Sequence, residues 1–167
     1  KDFVLARTAA RKLIEGFPTA APAVQRTAWV VVAHSSFDLA EYSQAEQAYA
    51  HVLEVTAPED ESRAALVENL AASIYKQGEQ ANGLSQYRAA ADHFLRVKQA
   101  APTSKIAAGA EYDAGAALMH LQDWTAAAEV LDDFRRTYPE HELHKEATKQ
   151  IAFIRREVGQ LSQAAAE

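Results

Sequence analysis

A regular spacing of aromatic residues and prolines constrains the fold of this chain more than any other feature. Four prolines follow apolar runs: Pro18, Pro58, Pro102 and Pro139. An aromatic residue precedes each of them by 15 or 16 positions: Phe3, Tyr42, Tyr87 and Trp124. Self-similarity of this kind is typical of repeat architectures, so we interpret the chain as a series of related structural units.

One helical face follows each aromatic residue. Alanine stands three positions later in every copy, and mostly apolar residues stand seven and ten positions later. These residues are Ala6, Ala10 and Leu13; Ala45, Tyr49 and Val52; Ala90, Phe94 and Val97; and Ala127, Leu131 and Phe134. Offsets of 0, 3, 7 and 10 share one side of an α-helix, and a following proline ends it. The spacing therefore predicts one helix per copy.

A second helix is predicted before each aromatic residue. A small residue stands nine positions earlier: Ala33, Gly78 and Gly115. Tyr75 and Tyr112 each stand three positions before such a glycine, which sets a period of 37 residues. A small residue at a helix contact lets the neighbouring helix approach closely. Each copy is therefore predicted to be a pair of packed helices.

This pattern resembles the tetratricopeptide repeat family, in which each copy is a helix–turn–helix unit. The resemblance implies an all-α fold, a right-handed α-solenoid of antiparallel helix pairs, and a role in protein binding. The prolines are 37 to 44 residues apart, against about 34 per repeat in the family. Longer spacing and aromatic-Pro endings are similar to the bacterial cell-envelope branch, such as the outer-membrane assembly lipoproteins.

We predict a single array over residues 1–167. Helix pairs are expected at about 22–56, 61–100 and 105–137, with partial repeats at 2–16 and 142–167. The predicted helices are 2–16, 22–40, 42–56, 61–82, 85–100, 105–121, 124–137 and 142–158, with a truncated helix starting at Leu161. Both ends of the chain fall inside helical patterns, so we interpret it as part of a longer protein.

Composition restricts the possible partners. The net charge is −6 without any basic cluster, whereas nucleic acids and anionic membranes attract clustered cations. No apolar stretch approaches the roughly 18 residues of a membrane span. We therefore predict no nucleic-acid binding and no membrane insertion. The absence of cysteine fits either the periplasm or the cytoplasm. The family resemblance favours a periplasmic or outer-membrane-associated protein, with the cytoplasm as the alternative.

Few residues are candidates for catalysis or metal binding. His141 and His144 are spaced as two ligands on one helix face, but the spacing fixes no third ligand. Ser35 and Ser36 follow His34 directly, and adjacent residues on a helix point in different directions. The sequence has no glycine-rich phosphate loop. We predict no enzyme, no catalytic residue, no bound metal and no cofactor.

The concave side of the predicted solenoid is the expected binding surface. Its candidate residues, read along the first helix of each pair, are His34, Phe37, Asp38, Tyr75, Glu79, Asn82, Tyr112, Met119 and His120. Exposed tyrosines often carry binding energy, but packing between helix pairs is an equally good interpretation of Tyr75 and Tyr112. Both interpretations stay open at this point.

We therefore predict a non-catalytic scaffold that binds a peptide or partner protein along a concave groove. The alternative is a structural spacer or self-assembly segment of a larger envelope protein. Stacked repeats bury each other's apolar faces, so the open ends of the array are predicted to allow weak homo-oligomer formation.

Overall fold

The computed structural model describes residues 2–165, which form eight α-helices and no strand. The helices are α1 (Phe3–Gly16), α2 (Pro22–Asp38), α3 (Tyr42–Glu54), α4 (Arg63–Gly83), α5 (Tyr87–Ala100), α6 (Ala107–His120), α7 (Trp124–Thr137) and α8 (His144–Ala164). The all-α prediction is confirmed. The first seven predicted helices begin and end within two residues of the observed ones.

The predicted break before Leu161 is wrong, because α8 runs without interruption to Ala164. Gly159 stands where the earlier copies turn, yet its φ is not positive. The helical bonding continues past it, with the Ala165 N–H donating to the Leu161 carbonyl. Continuing the helix satisfies more backbone groups than a turn at Gly159 would.

The chain divides into two compact units, and the boundary lies within α4, between Gln77 and Gly78. In the first unit, α2 packs on both α1 and α3. In the second unit, α5 packs on α6, α6 on α7, and α7 on α8. Packing between consecutive helices is the arrangement expected of a helical-repeat solenoid. The single continuous array remains a prediction.

The two helices of each pair are joined by the same turn. Ala40, Ser85 and Gln122 each stand two residues before the aromatic residue of their copy, and each has a φ of 57–59°. In the first turn, the Glu41 N–H donates to the Ser36 carbonyl, five residues earlier. Equivalent bonds form at the other two turns. This is the bonding of a Schellman motif, which reverses the chain at a single left-handed residue.

Two of the small residues predicted at the helix contacts, Gly78 and Gly115, lie too close to the neighbouring helix to carry a side chain. A Cβ atom on Gly115 would lie 2.6 Å from Leu131 Cδ2, and one on Gly78 would lie 2.5 Å from Phe94 Cε1. Both distances are shorter than carbon atoms tolerate without moving. Glycine therefore allows the second helix to lie against the first, as the sequence pattern predicts.

The core of each unit contains the helical face that the sequence pattern predicts. All positions three, seven and ten residues after the aromatic residue are buried in α3, α5 and α7. In α1 only Ala10 is buried, while Ala6 and Leu13 are half-exposed. Proline ends α1 and α7 as predicted: Phe17 and Tyr138 leave the helical region directly before Pro18 and Pro139.

Candidate functional site

Each unit contains a hollow near the end of a first helix. The first hollow has a volume of about 600 Å³ and is lined by Asp2, Phe3, Ala6, Val31, His34, Ser35, Phe37, Asp38, Tyr49 and Asn69. The second hollow has a volume of about 320 Å³ and is lined by Ala116, Met119, His120, Trp124, Gln150 and Phe153. Five of the nine predicted binding residues lie in these two hollows.

The two hollows share three repeat positions. His34, Phe37 and Asp38 stand eight, five and four residues before Tyr42. Ala116, Met119 and His120 stand at the same distances before Trp124. These positions belong to the last turns of a first helix, just before the left-handed turn residue. The repeat therefore places an open hollow at one recurring location, and the side chains there differ.

The first hollow is polar and acidic. The Tyr49 hydroxyl and His34 Nδ1 lie 2.6 Å apart, and the two rings meet edge to face at 5.5 Å. Burial, with a smaller effect from the charge of Asp38, raises the pKa of Tyr49 to about 12. The raised pKa keeps the Tyr49 hydroxyl protonated at neutral pH, and the hydroxyl and His34 Nδ1 share one hydrogen bond.

Asp38 is the last residue of α2 and is exposed. The carboxyl end of a helix carries partial negative charge, which disfavours a carboxylate there. The last turn of α2 contains no basic residue. Within residues 2–165, Asp38 makes neither a hydrogen bond nor an ion pair. The first hollow therefore carries an uncompensated negative charge.

The second hollow is mainly aromatic and apolar. The Trp124 and Phe153 rings meet edge to face at 6.0 Å. Tyr87 stacks on His120, with ring centroids 4.6 Å apart and planes 11° from parallel. The Gln150 Nε2 donates to the Tyr112 hydroxyl over 2.6 Å. This hollow offers ring faces and the Met119 thioether to a ligand, with one amide at its edge.

The other predicted residues lie outside the two hollows. Glu79 and Asn82 are exposed on α4, and Tyr75 is half-buried there. Tyr112 is half-buried, meets Phe134 of α7 edge to face, and accepts the bond from Gln150 of α8. Tyr112 therefore contributes to packing among three helices of the second unit, which is one of the two roles that the sequence left open.

Several residues of the hollows were missed by sequence reasoning. Tyr49 was assigned only to the core, and Trp124 only to the packing between helix pairs. Asn69 and Gln150 lack any distinguishing motif. Phe153 could have been found, because it stands eight residues before Leu161, at the repeat position of His34.

An ion pair lies inside the second unit, away from the second hollow. Lys98 Nζ lies 2.9 Å from the Glu111 carboxylate and 3.5 Å from that of Asp133. Glu111 is only 4% exposed, and its burial raises its pKa despite the opposing effect of Lys98. Burial lowers the pKa of Lys98, but the hydrogen bond and the charge of Glu111 raise it, so the pKa of Lys98 lies above its usual value. The pair joins α5 to α6.

An apolar groove between α1 and α2 has a volume of about 530 Å³ and is lined largely by alanine and valine. Thr27 supplies its only polar side chain. The hollows, unlike this groove, combine apolar walls with groups that can orient a ligand, as binding sites usually do.

One of the two histidines considered as metal ligands, His141, has structural partners. The His141 Nδ1 accepts a hydrogen bond from the Leu143 N–H, and its ring packs edge to face on Phe134. Over residues 2–165, no three acidic or histidine side chains are grouped so that they could hold a metal ion. None of the helices in the same range has the length and apolar character needed to cross a bilayer.

Comparison with known proteins identifies the family. The model of the family YfiO, described as outer membrane lipoprotein, matches residues 67–155, which is just over half of the chain. A search of curated proteins found no match. The matched region contains α5, α6 and α7 entirely, and with them most of the second hollow. The chain therefore belongs to the YfiO family of outer membrane lipoproteins.

Proposed function

We propose that this chain is a non-catalytic protein-interaction scaffold of the bacterial envelope, and that its two hollows hold segments of a partner protein. The observation that carries the proposal is that three equivalent repeat positions, at the end of a first helix, line a hollow in both units. A feature required only for packing would conserve the same contacts, whereas these positions differ in chemistry and remain open.

The composition of the hollows suits protein recognition. Trp124, Tyr87 and Phe153 present ring surfaces, and aromatic residues dominate binding hot spots. Each hollow lies on rigid helices, so little entropy is lost in ordering it. The family supports this role, because YfiO-type proteins contain tetratricopeptide-type repeats and are generally non-enzymatic. The periplasmic face of the outer membrane is the proposed location.

Site-specific photocrosslinking in the envelope of the producing bacterium tests the proposal. A benzoylphenylalanine residue is placed at Phe37 or Met119, one in each hollow. Matched controls are Ser43 on α3 and Glu129 on α7, which are exposed and line neither hollow. We expect a defined crosslinked protein at the hollow positions and none at the controls.

Two outcomes would contradict the proposal. Crosslinks at Ser43 or Glu129, without any at Phe37 or Met119, would move the interaction to the second helices. The absence of crosslinks at all four positions, in a correctly localised protein, would favour the structural spacer. Crosslinks between copies of this chain would instead support the self-assembly that the open ends predict.

A further inference from the structure

We infer that the first hollow binds a basic side chain of the partner, with arginine preferred over lysine. This inference rests on the proposed function and specifies the partner chemistry of one of its two sites. The occupant is an extended peptide segment of another protein that carries an arginine. Its guanidinium would lie against the aromatic rings and pair with Asp38.

Charge complementarity is the first argument. Asp38 is exposed, lies at the negative end of α2, and makes no ion pair within residues 2–165. Asp2, which also lines the first hollow, adds a second carboxylate while its Oδ1 accepts from the Leu5 N–H. A carboxylate at the carboxyl end of a helix is electrostatically unfavourable, and such local conflicts are expected at functional sites. A cation from a partner would stabilise the charge of Asp38.

The nearby cation is already engaged elsewhere. Arg7 follows Ala6 on α1, but its guanidinium forms a two-point ion pair with Glu41. That bond lowers the pKa of Glu41 and keeps it ionised. Arg7 is therefore paired with Glu41, and no lysine or arginine is among the residues that line the hollow.

The walls of the first hollow suit a planar cation. Phe3, Phe37 and Tyr49 line it, and a guanidinium stacks on ring faces more readily than an ammonium does. The His34 imidazole and the Asn69 amide, which also line the hollow, add polar groups that can bond to the peptide backbone around the arginine. Tyr49 fixes His34 in the orientation that serves this role.

The second hollow provides an internal comparison. His120 stands at the repeat position of Asp38, and Met119 at that of Phe37. None of the residues that line the second hollow is acidic. An arginine should therefore prefer the first hollow, although both hollows have aromatic walls.

Nuclear magnetic resonance titration of the whole chain tests this inference. The probes are blocked pentapeptides, acetyl-Gly-Gly-X-Gly-Gly-amide, with X as Arg, Lys, Leu or Glu. The protein variants are Asp38→Asn and the control Asp92→Asn, which removes an equally exposed carboxylate from α5. We expect the arginine peptide to shift amide signals of residues 34–38 more strongly than any other probe.

Asp38→Asn should weaken arginine-peptide binding about three- to tenfold, the range for one charge-assisted bond at a partly exposed site. Asp92→Asn should leave it unchanged. Tighter binding of the leucine peptide at residues 34–38 would overturn the inference. So would equal weakening by both variants, or no response at the first hollow. If crosslinks at Phe37 still form in such a case, the proposed function stands and only the choice of cation fails.

Discussion

The two hollows share three repeat positions but differ in charge and polarity. The first collects His34, Asp38 and the buried hydroxyl of Tyr49. The second collects Met119, Trp124 and Phe153 around Gln150. The helix–turn–helix unit fixes where a hollow opens, because small residues bring the helices together and a left-handed turn ends the first one. The side chains at a few fixed offsets then determine which part of a partner each hollow accepts.

The buried position seven residues after the aromatic residue also differs between the two helix pairs. It is Tyr49 in α3 and Leu131 in α7. The first helices differ correspondingly, with Ala33 in one and Gly115 in the other. In the second unit the Leu131 side chain occupies the space that a Cβ atom on Gly115 would need. The comparison can therefore be tested through packing, charge and turn geometry.

The largest effect is expected from filling the space at Gly115. Gly115→Ala should lower the free energy of unfolding by about 1–3 kcal/mol, because the new Cβ atom overlaps the buried Leu131. Gly109 is the control on the same helix, since a Cβ atom there meets no atom within 4 Å. Gly109→Ala should raise the stability by up to about 1 kcal/mol. Chemical denaturation measures both, and equal effects would refute the close approach at Gly115.

Breaking the Lys98–Glu111 ion pair of the second unit should reduce stability by a similar amount. Lys98→Met should lower the free energy of unfolding by about 1–3 kcal/mol, because Glu111 then remains buried without its partner. This expected loss is smaller than for a fully buried pair, because the Lys98 side chain is 35% exposed and solvent screens its charge. Glu111→Gln keeps an acceptor for Lys98 and should change stability little. A larger loss for Glu111→Gln than for Lys98→Met would contradict this assignment.

The pH dependence of this pair has a definite sign. Burial raises the pKa of Glu111 above its usual 4.5. Its stabilising contribution is therefore complete below 4.5 and is lost as the pH rises through the raised pKa. The Tm of Glu111→Gln, relative to the unmodified chain, should increase from pH 4.5 upward. A relative decrease over that range would show that Lys98 outweighs the burial of Glu111.

The hydrogen bond beneath the first hollow should contribute about 1 kcal/mol. Tyr49→Phe removes the hydroxyl that bonds to His34, and a drop of that size in the free energy of unfolding is expected. In an absorbance titration, the variant should lose one phenol that ionises near pH 12. The second unit has Leu131 at this position and supplies no such group. Ionisation of Tyr49 near pH 10 would contradict its burial.

The smallest effect concerns the turns, in which the two units agree. Ala40→Gly and Gln122→Gly should each raise the free energy of unfolding by about 0.5–1 kcal/mol, since glycine adopts a positive φ without steric cost. The two gains should be similar, because the turns share one bonding pattern. Thermal unfolding of both variants measures them. A loss at either position would show that the turn is not left-handed there.

The fold was predictable from the sequence because repetition multiplies weak signals. One aromatic residue with an alanine three positions later proves little, but four copies in register fix the helices, their ends and their buried faces. The mistake at Leu161 has the same origin. The pattern continued there, but Gly159 alone does not impose a turn.

The site was predictable only in part. Helical periodicity placed His34, Phe37, Asp38, Met119 and His120 on the first helices, where they line the two hollows. It could not place Tyr49 and Gln150 beside them, because those contacts join different helices. The Lys98–Glu111 pair was missed for the same reason: both residues look like surface residues in the sequence, and only packing between α5 and α6 buries Glu111.

The central claim is that equivalent hollows hold a protein partner. The most direct measurement is the affinity of the crosslinked partner, once purified, for four variants of the full chain: Phe37→Arg, Met119→Arg, Ser43→Arg and Glu129→Arg. The first two should weaken binding about tenfold or more, as expected for hot-spot positions, and the last two should change it less than about twofold. Equal weakening by all four, or loss only at Ser43 and Glu129, would contradict the account.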